Sequence, residues 1–141
     1  FNYFLGDAAD IYASLRLGNS CIGEGFFQSG TCSAGLGNVN DPCISCTGVR
    51  DIDYKNYDSQ SPHTFTWMFN NCADEEGYYS VHCIGQVYSE AVWSLYKREL
   101  PQIYGYDDNT SLEIVQRLTF IAAGNVALWF DTTYASAPFA G

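Results

Sequence analysis

The chain is poor in basic residues and in long apolar runs. It has 6 Lys and Arg against 16 Asp and Glu in 141 residues, and its formal net charge at pH 7 is −10. Nucleic acids and anionic membranes are bound by clusters of Lys and Arg, so we expect neither as a partner. The longest apolar run, over 121–130, is interrupted by Gly124 and Asn125 and is too short to span a bilayer.

Histidine is also scarce, because His63 and His82 are the only two in the chain. The sequence contains no Gly-rich phosphate loop, no Ser/His/Asp arrangement and no H-E-x-x-H motif. Two histidines without further ligands at suitable spacing do not make a zinc site. We therefore predict that the chain has no active catalytic residues and binds no metal or other cofactor. His63, in the segment S-P-H-T-F, is expected in a loop and is assigned no role.

Six cysteines are present, an even number in a loop-rich chain, which favours disulfides and an oxidising, extracellular location. They are Cys21, Cys32, Cys43, Cys46, Cys72 and Cys83. Cys72 and Cys83 are expected to pair, since a short polar loop separates them. The other four are expected to pair among themselves, in a connectivity that the sequence does not define.

Two further features bear on this location. Cys43 and Cys46 form a C-x-x-C pair, which is typical of redox dithiols and of half a zinc site. Neither a βαβ pattern nor a second C-x-x-C accompanies it, so a structural disulfide is favoured. The chain begins at Phe1 without Met or a signal peptide, and we interpret it as a mature or cleaved secreted product.

Hydrophobic periodicity predicts a single, mainly α domain over 1–141, with a long disulfide-held loop. The strongest helical pattern ends in Lys97 and Arg98, and Pro101 is expected to close that helix. A short helix is expected near 52–57, and 65–69 fits either a helix or a strand. The main expected elements are a helix over about 7–17, a Cys-rich loop over 18–50, helices over about 83–99 and 110–123, and an apolar tail over 129–141.

Two polar segments have alternative interpretations. The acidic run 74–76, followed by Gly77, has the carboxylates that calcium prefers, but it fits no EF-hand, so a solvated acidic loop is favoured. The segment 109–111 fits the N-glycosylation pattern with Asn109 as acceptor, and it is also an ordinary helix start. Thr110 and Glu113 have capping-box spacing there.

Three stretches, G-D-A-A-D-I-Y-A-S-L-R-L, D-P-C-I-S-C-T-G-V-R-D-I-D-Y and V-H-C-I-G-Q-V-Y-S-E-A-V-W-S-L-Y, occur in this order. Together they resemble the C-terminal helical lobe of thermolysin- and fungalysin-like zinc metallopeptidases, including their bacterial secreted, cysteine-containing relatives. The resemblance implies that Asp10 holds the position of the carboxylate that orients a zinc-bound histidine. It also implies that His82 holds the position of the histidine that stabilises the oxyanion.

The departures from that family fall on its zinc ligands. Gly6 stands four residues before Asp10, where the family has its glutamate ligand, and the H-E-x-x-H motif is absent. Asp7 would lie about 100° around the helix from the position of Gly6, and its side chain is shorter than that of glutamate. The resemblance therefore implies a lobe with an incomplete zinc centre. His82 is then either a relict or actual oxyanion-stabilising group or a capping or surface residue, and Asp10 is an exposed or hydrogen-bonded helix residue.

Three functions fit these observations. The favoured one is a secreted, catalytically incomplete lobe that acts as an extracellular structural or self-assembling protein, and head-to-tail contacts that do not close would give filaments. The second is a C-terminal fragment of a secreted zinc metallopeptidase whose other half binds the zinc, and the third is a small secreted binding module. The apolar, aromatic ends of the chain are expected to contact neighbouring copies through Phe1, Tyr3, Phe4, Tyr134 and Phe139.

Overall fold

The structure, a computed structural model, describes residues 2–25, 46, 48–57, 61–73 and 81–133, and within these only the backbone of 2–7, 57, 81 and 126–133. The described residues are mainly helical, which confirms the predicted class. The helices are α1 (Asn2–Leu17), α2 (Phe65–Asn71), α3 (Val81–Ser94), α4 (Leu100–Tyr104) and α5 (Asp108–Thr133). The strands are β1 (Cys21–Ile22) and β2 (Arg50–Asp51).

The main core lies where α1 packs along α3 and where α5 contacts α1 and the helix that follows α3. Ile11 and Leu15 stand one helical turn apart on the buried side of α1. Each such aliphatic side chain contributes roughly 1.5–3 kcal/mol when it leaves water. The buried members of this core are Ile11, Leu15, Ile52, Trp93, Tyr96, Leu100 and Val115.

Both terminal helices are longer than predicted. The first helix begins at Asn2 rather than near Asp7, so the stretch expected as an apolar N-terminal end is helical. The last helix runs to Thr133, past Gly124, and 129–133 is therefore helix and not tail. A helical glycine costs only about 1 kcal/mol relative to alanine, which the hydrogen bonds of a long helix outweigh. Residues 134–141 lie outside the described part of the chain.

The expectation that Pro101 closes the long helix is wrong. After α3 the chain forms a π-helical turn, Leu95–Glu99, and continues directly into α4. The amide of Leu100 donates to the carbonyl of Leu95, five residues back. Pro101 then occupies the first turn of α4, where a missing N–H is tolerated. The helix ends four residues later, at Gly105.

The start of α5 also differs from the prediction. The helix begins at Asp108, two residues before the expected Thr110 cap. The carboxylate of Asp107 accepts a hydrogen bond of 2.7 Å from the amide of Thr110, as an N-cap residue does. Thr110 lies inside the first turn, so the capping box with Glu113 is not formed. Asp107 caps the helix in place of Thr110, because its side chain lies just before the helix and reaches the free amides of the first turn.

The Cys-rich region contains a short ladder as well as a disulfide. β1 and β2 pair antiparallel, with Cys21 opposite Asp51 and Ile22 opposite Arg50. The stretch 18–50, predicted as a loop held by disulfides, is therefore also held by paired strands. Cys21 is bonded to Cys46 with a Cα–Cα distance of 5.3 Å. Cys32 and Cys43 lie outside the described residues.

Gly48 is required for this arrangement. Its amide donates to the sulfur of Cys46 over 3.3 Å. A Cβ atom at this position would lie 2.1 Å from the carbonyl oxygen of Ile22, well inside van der Waals contact. Only glycine allows the two backbones to approach so closely.

A second, smaller core joins α2 to α3. It consists of Met68, Cys72, Cys83 and Val87, and Cys72 is bonded to Cys83 as predicted. Thr64 caps α2, because its hydroxyl accepts from the amide of Trp67 over 3.2 Å. The segment 65–69, which fitted either a helix or a strand, is thus helical. None of the described helices is long and apolar enough to cross a membrane.

Candidate functional site

The two positions that the metallopeptidase resemblance singled out lie in different surroundings. Asp10, on α1, is partly buried and forms an ion pair with the buried Arg50 of β2. Asp10 is thus a hydrogen-bonded helix residue, one of the two alternatives that the sequence left for it. His82 lies in the first turn of α3, one residue inside the helix start, and is exposed. No hydrogen bond or ion pair joins these two described side chains.

The other positions from the sequence analysis are distributed as follows. Gly6 and Asp7 belong to the backbone of α1. Tyr3 and Phe4 also lie in α1, and their side chains are not described. The acidic run 74–76 lies outside the described residues, as do Phe1, Tyr134 and Phe139. Asn109 is exposed in the first turn of α5. Because Cys46 is bonded to Cys21, it does not form a dithiol with Cys43.

His63, assigned no role from the sequence, contacts the most deeply buried carboxylate described. The side chain of Glu90 is 0% exposed, and its Oε1 lies 2.7 Å from Nδ1 of His63. The backbone amide of His63 donates to Oε2 of the same carboxylate, also over 2.7 Å. The ring of Trp67 lies against the imidazole, with a centroid distance of 3.8 Å. His63 is in a loop, as expected, but that loop is attached to α3.

Gln86 completes this group, which we call the Glu90 cluster (His63, Gln86 and Glu90). Its side-chain amide donates to Oε1 of Glu90 over 2.9 Å and to the backbone carbonyl of Asp51. Gln86 and Glu90 stand one turn apart on α3 and are both buried. The cluster therefore links three segments, namely the loop before α2, the middle of α3, and β2.

A second polar group lies beside it and is built on the D-I-D segment that begins in β2. Asp53 accepts a hydrogen bond of 3.1 Å from the indole N–H of Trp93, and it forms an ion pair with Arg98. The carboxylate of Asp51 accepts from the amide of Asp53 over 2.9 Å and from the side chain of Asn56 over 2.8 Å. These contacts join β2 and the 3₁₀ turn Tyr54–Tyr57 to α3 and the π-helical turn.

The hydrogen bonds of both polar groups join segments of the protein to one another. The Glu90 carboxylate already accepts three hydrogen bonds, so its lone pairs are directed at protein donors. Asp53 is likewise occupied by an indole and a guanidinium. In the part of the chain that the structure describes, no group of three or more His, Cys, Asp or Glu side chains is placed to hold a metal ion. These residues hold segments together rather than present groups to a substrate.

An open groove of about 400 Å³ lies between α1 and α5. Its lining residues are Tyr12, Arg16, Gln116, Arg117 and Phe120. The hydroxyl of Tyr12 is buried and has no hydrogen-bond partner among the described residues. Burial raises the pKa of Tyr12 above its usual value, so this hydroxyl stays protonated at neutral pH. The groove therefore combines guanidinium groups, neutral donors and aromatic walls.

Large apolar side chains are also exposed on α5. Leu118, Phe120 and Ile121 are 51%, 72% and 57% exposed, and we call these three residues the outer face of α5. Phe120 and Ile121 lie on the side of α5 opposite the core positions Val115 and Thr119, and Leu118 lies at the edge of the buried side. Other large exposed apolar side chains are Leu17, Phe65, Phe69, Ile103, Tyr104 and Tyr106.

A scan of protein-family models, a search of curated proteins and a search of solved structures each find no match to this chain. The likeness to thermolysin-like peptidases therefore rests on the three sequence stretches alone. The mainly helical fold of the described residues and the two disulfides among them are established by the structure itself. They fit a secreted protein, as the even cysteine count predicted.

Proposed function

We propose that this chain is a secreted, disulfide-stabilised helical module that associates with copies of itself as an extracellular structural protein, without peptidase activity. The observation that carries the proposal is the outer face of α5. Its three large apolar side chains are each more than half exposed on one helix. Leu118 and Ile121 are three residues apart and therefore neighbours on the helix surface, and adjoining exposed apolar side chains on a folded protein mark an interaction site.

The surroundings of the family positions support a non-catalytic role. An oxyanion-stabilising group works in a water-excluded site beside the reacting carbonyl, whereas His82 is exposed on the first turn of α3. Asp10 is paired with Arg50 rather than with a histidine. Gly6, at the position of the glutamate ligand, has no side chain to offer a metal. A lobe without its zinc centre retains its helical body as a scaffold.

The test is the association state of the purified protein and of the variant Leu118→Gln/Ile121→Gln. Sedimentation velocity over a range of concentrations and negative-stain electron microscopy should show polymers of the wild type. The variant should require at least about tenfold higher concentration to associate, because the interface loses apolar area. The matched control is Ile103→Gln/Tyr104→Gln, which removes two exposed apolar side chains from α4 and should associate like the wild type.

Two outcomes would contradict the proposal. A wild type that stays monomeric at every concentration has no self-association to explain. Equal loss of association in the variant and in the control means general stickiness rather than a defined face. The competing hypothesis, a fragment of a zinc metallopeptidase, predicts stoichiometric zinc and casein cleavage in the intact source protein, which metal analysis and a protease assay would detect.

A further inference from the structure

The groove between α1 and α5 is a basic, aromatic site on an acidic protein. Two of the six basic residues of the chain, Arg16 and Arg117, line it from different helices. Phe120 forms an apolar wall that is 72% exposed. Guanidinium groups bind carboxylates through paired hydrogen bonds and stack on aromatic rings. The lining therefore suits a ligand that carries carboxylates next to aromatic groups.

The arginines of the groove are available for such a ligand. Three of the other basic side chains, those of Arg50, Lys97 and Arg98, are paired with aspartates. Arg16 has no ion-pair partner among the described residues. Within the described ranges Arg117 pairs only with Glu113, one turn away on the same helix, and both side chains are strongly exposed, at 75% and 63%. An exposed pair of this kind contributes little and is readily exchanged for another carboxylate.

The chain itself contains a segment of matching chemistry. Residues 74–76 are Asp-Glu-Glu, the only run of three acidic residues in the sequence, and Tyr78 and Tyr79 follow. The Cys72–Cys83 disulfide closes the loop that contains this segment. A closed loop loses less conformational freedom on binding than a free segment does. Asp53 and Glu90, by contrast, are occupied inside the molecule.

We infer that the groove of one copy binds the acidic, tyrosine-containing segment 74–79 of a second copy. This inference rests on the proposed self-association and names one contact through which it occurs. The two surfaces are different parts of the chain, so the contact is head-to-tail. Each copy then has one groove and one segment to offer, and a contact that does not close into a ring produces a filament.

A charge swap tests the inference. Arg16→Glu/Arg117→Glu reverses the groove, and Glu75→Arg/Glu76→Arg reverses the segment. Each variant alone should associate at least about tenfold more weakly than the wild type by sedimentation velocity, because like charges then face each other. An equimolar mixture of the two should polymerise again, since each reversed groove meets a reversed segment. The variant that carries all four substitutions should also polymerise.

The matched control places the same change in net charge elsewhere on the surface. Lys55→Glu/Gln102→Glu/Asn109→Asp lowers the net charge as much as the groove variant does, at three exposed positions. It should associate nearly like the wild type. Circular dichroism of every variant should match that of the wild type, which keeps loss of fold apart from loss of contact.

The outcomes separate this inference from the proposed function. If the wild type polymerises and Leu118→Gln/Ile121→Gln abolishes it, but the groove variant polymerises normally, the inference is wrong and the proposed function stands. Failure of the mixture and of the fourfold variant to polymerise also overturns the inference. If charge reversal alters the stability of the monomer but not association, the segment binds within its own chain, and the inference is again wrong. A monomeric wild type removes the proposed function itself.

Discussion

At the scale of single residues, the buried carboxylate of Glu90 is the contact on which three segments depend. An ionised carboxylate without partners would be very costly to bury, and here it accepts three hydrogen bonds. The protein donors replace the water that the group loses on folding. Removing the carboxylate would take away the acceptor that two groups of His63 and the side-chain amide of Gln86 share.

Substitution of Glu90 should therefore be among the most destabilising single changes. We expect Glu90→Ala to lower the free energy of unfolding by about 3–5 kcal/mol, as for a broken buried pair. Glu90→Gln should cost less, because one oxygen still accepts while the new amide opposes the existing donors. Urea unfolding followed by circular dichroism measures both.

Glu99→Ala is the control, since Glu99 is an exposed glutamate in the neighbouring π-helical turn. It should change stability by less than about 0.5 kcal/mol. Similar effects of the two alanine variants would show that the Glu90 cluster is not an important fastening.

The pH dependence of stability should be measurable at the start of α5. The backbone hydrogen bond from Thr110 holds the pKa of Asp107 below its usual value, and the hydrogen bond from Lys97 does the same for Asp108. A depressed carboxyl pKa stabilises the fold above the unfolded value of 3.8, and that stabilisation is lost as the pH falls through the folded value. The loss therefore falls in acid, below about pH 4.

Asp107→Asn should separate capping from titration. Asparagine caps a helix about as well as aspartate but has no proton to gain. At neutral pH the variant should unfold at a slightly lower temperature, because the negative charge next to the helix dipole is gone. Below about pH 4 the difference should shrink or reverse, as measured by thermal unfolding. A constant difference at every pH would contradict the role given to Asp107.

At the scale of elements, two glycines of similar appearance have opposite roles. Gly105 caps the C-terminal end of α4 in the left-handed conformation, with φ 68°, and its amide donates to the carbonyls of Leu100 and Pro101. Gly124 lies inside α5, at an exposed position. A Cβ atom at either site would have no neighbour within 4 Å. Only backbone conformation therefore distinguishes the two substitutions.

The same substitution should then change stability in opposite directions. Gly105→Ala should destabilise by about 1–2 kcal/mol, because an L side chain strains the left-handed conformation. Gly124→Ala should stabilise by roughly 0.5–1 kcal/mol through its better helix propensity. Thermal unfolding of both variants gives the comparison. Changes of the same sign would contradict this account of where α4 ends and α5 continues.

The predictability of each element follows from how local its causes are. The helical class and the cores of α1, α3 and α5 were predictable, since apolar spacing records which face is buried. The Cys72–Cys83 pair was predictable because the loop is short. The extension of α1 over 2–6 and the π-helical turn after α3 were not, because ordinary helical residues carry no signal for either.

The Glu90 cluster was missed for a tertiary reason. His63 and Glu90 are 27 residues apart in sequence, and nothing local connects them. On α3 the apolar stripe indicated one buried face, yet Gln86, Ser89 and Glu90 are buried as well, because the helix is covered on several sides. The small residues Gly85 and Ser89 next to them were the available signal, since small side chains let neighbouring segments approach.

At the scale of the whole molecule, the two disulfides that join described residues support cores of very different size. The main core has seven buried members. They come from α1, the segment after β2, α3, the π-helical turn, α4 and α5. The second core has four buried members, and two of these are Cys72 and Cys83 themselves. Without their bond, α2 would be held mainly by Met68, Val87 and the loop contact of His63. The Cys21–Cys46 bond instead joins cysteines that are 25 residues apart in sequence and so closes a longer loop.

Loss of each disulfide should therefore have a different signature. By loop entropy, Cys21→Ala/Cys46→Ala should lower the free energy of unfolding by about 3.5 kcal/mol and Cys72→Ala/Cys83→Ala by about 3 kcal/mol, since the second loop is shorter. Local opening near α2, by contrast, should be greater after loss of the Cys72–Cys83 bond. Amide hydrogen exchange of 65–71 should become fast only when the Cys72–Cys83 bond is removed, because the small core then opens without global unfolding. If α2 stays protected in that variant, the small core is stable without its disulfide, and the apolar packing of Met68 and Trp67 with the contact of His63 is enough to hold α2 on α3.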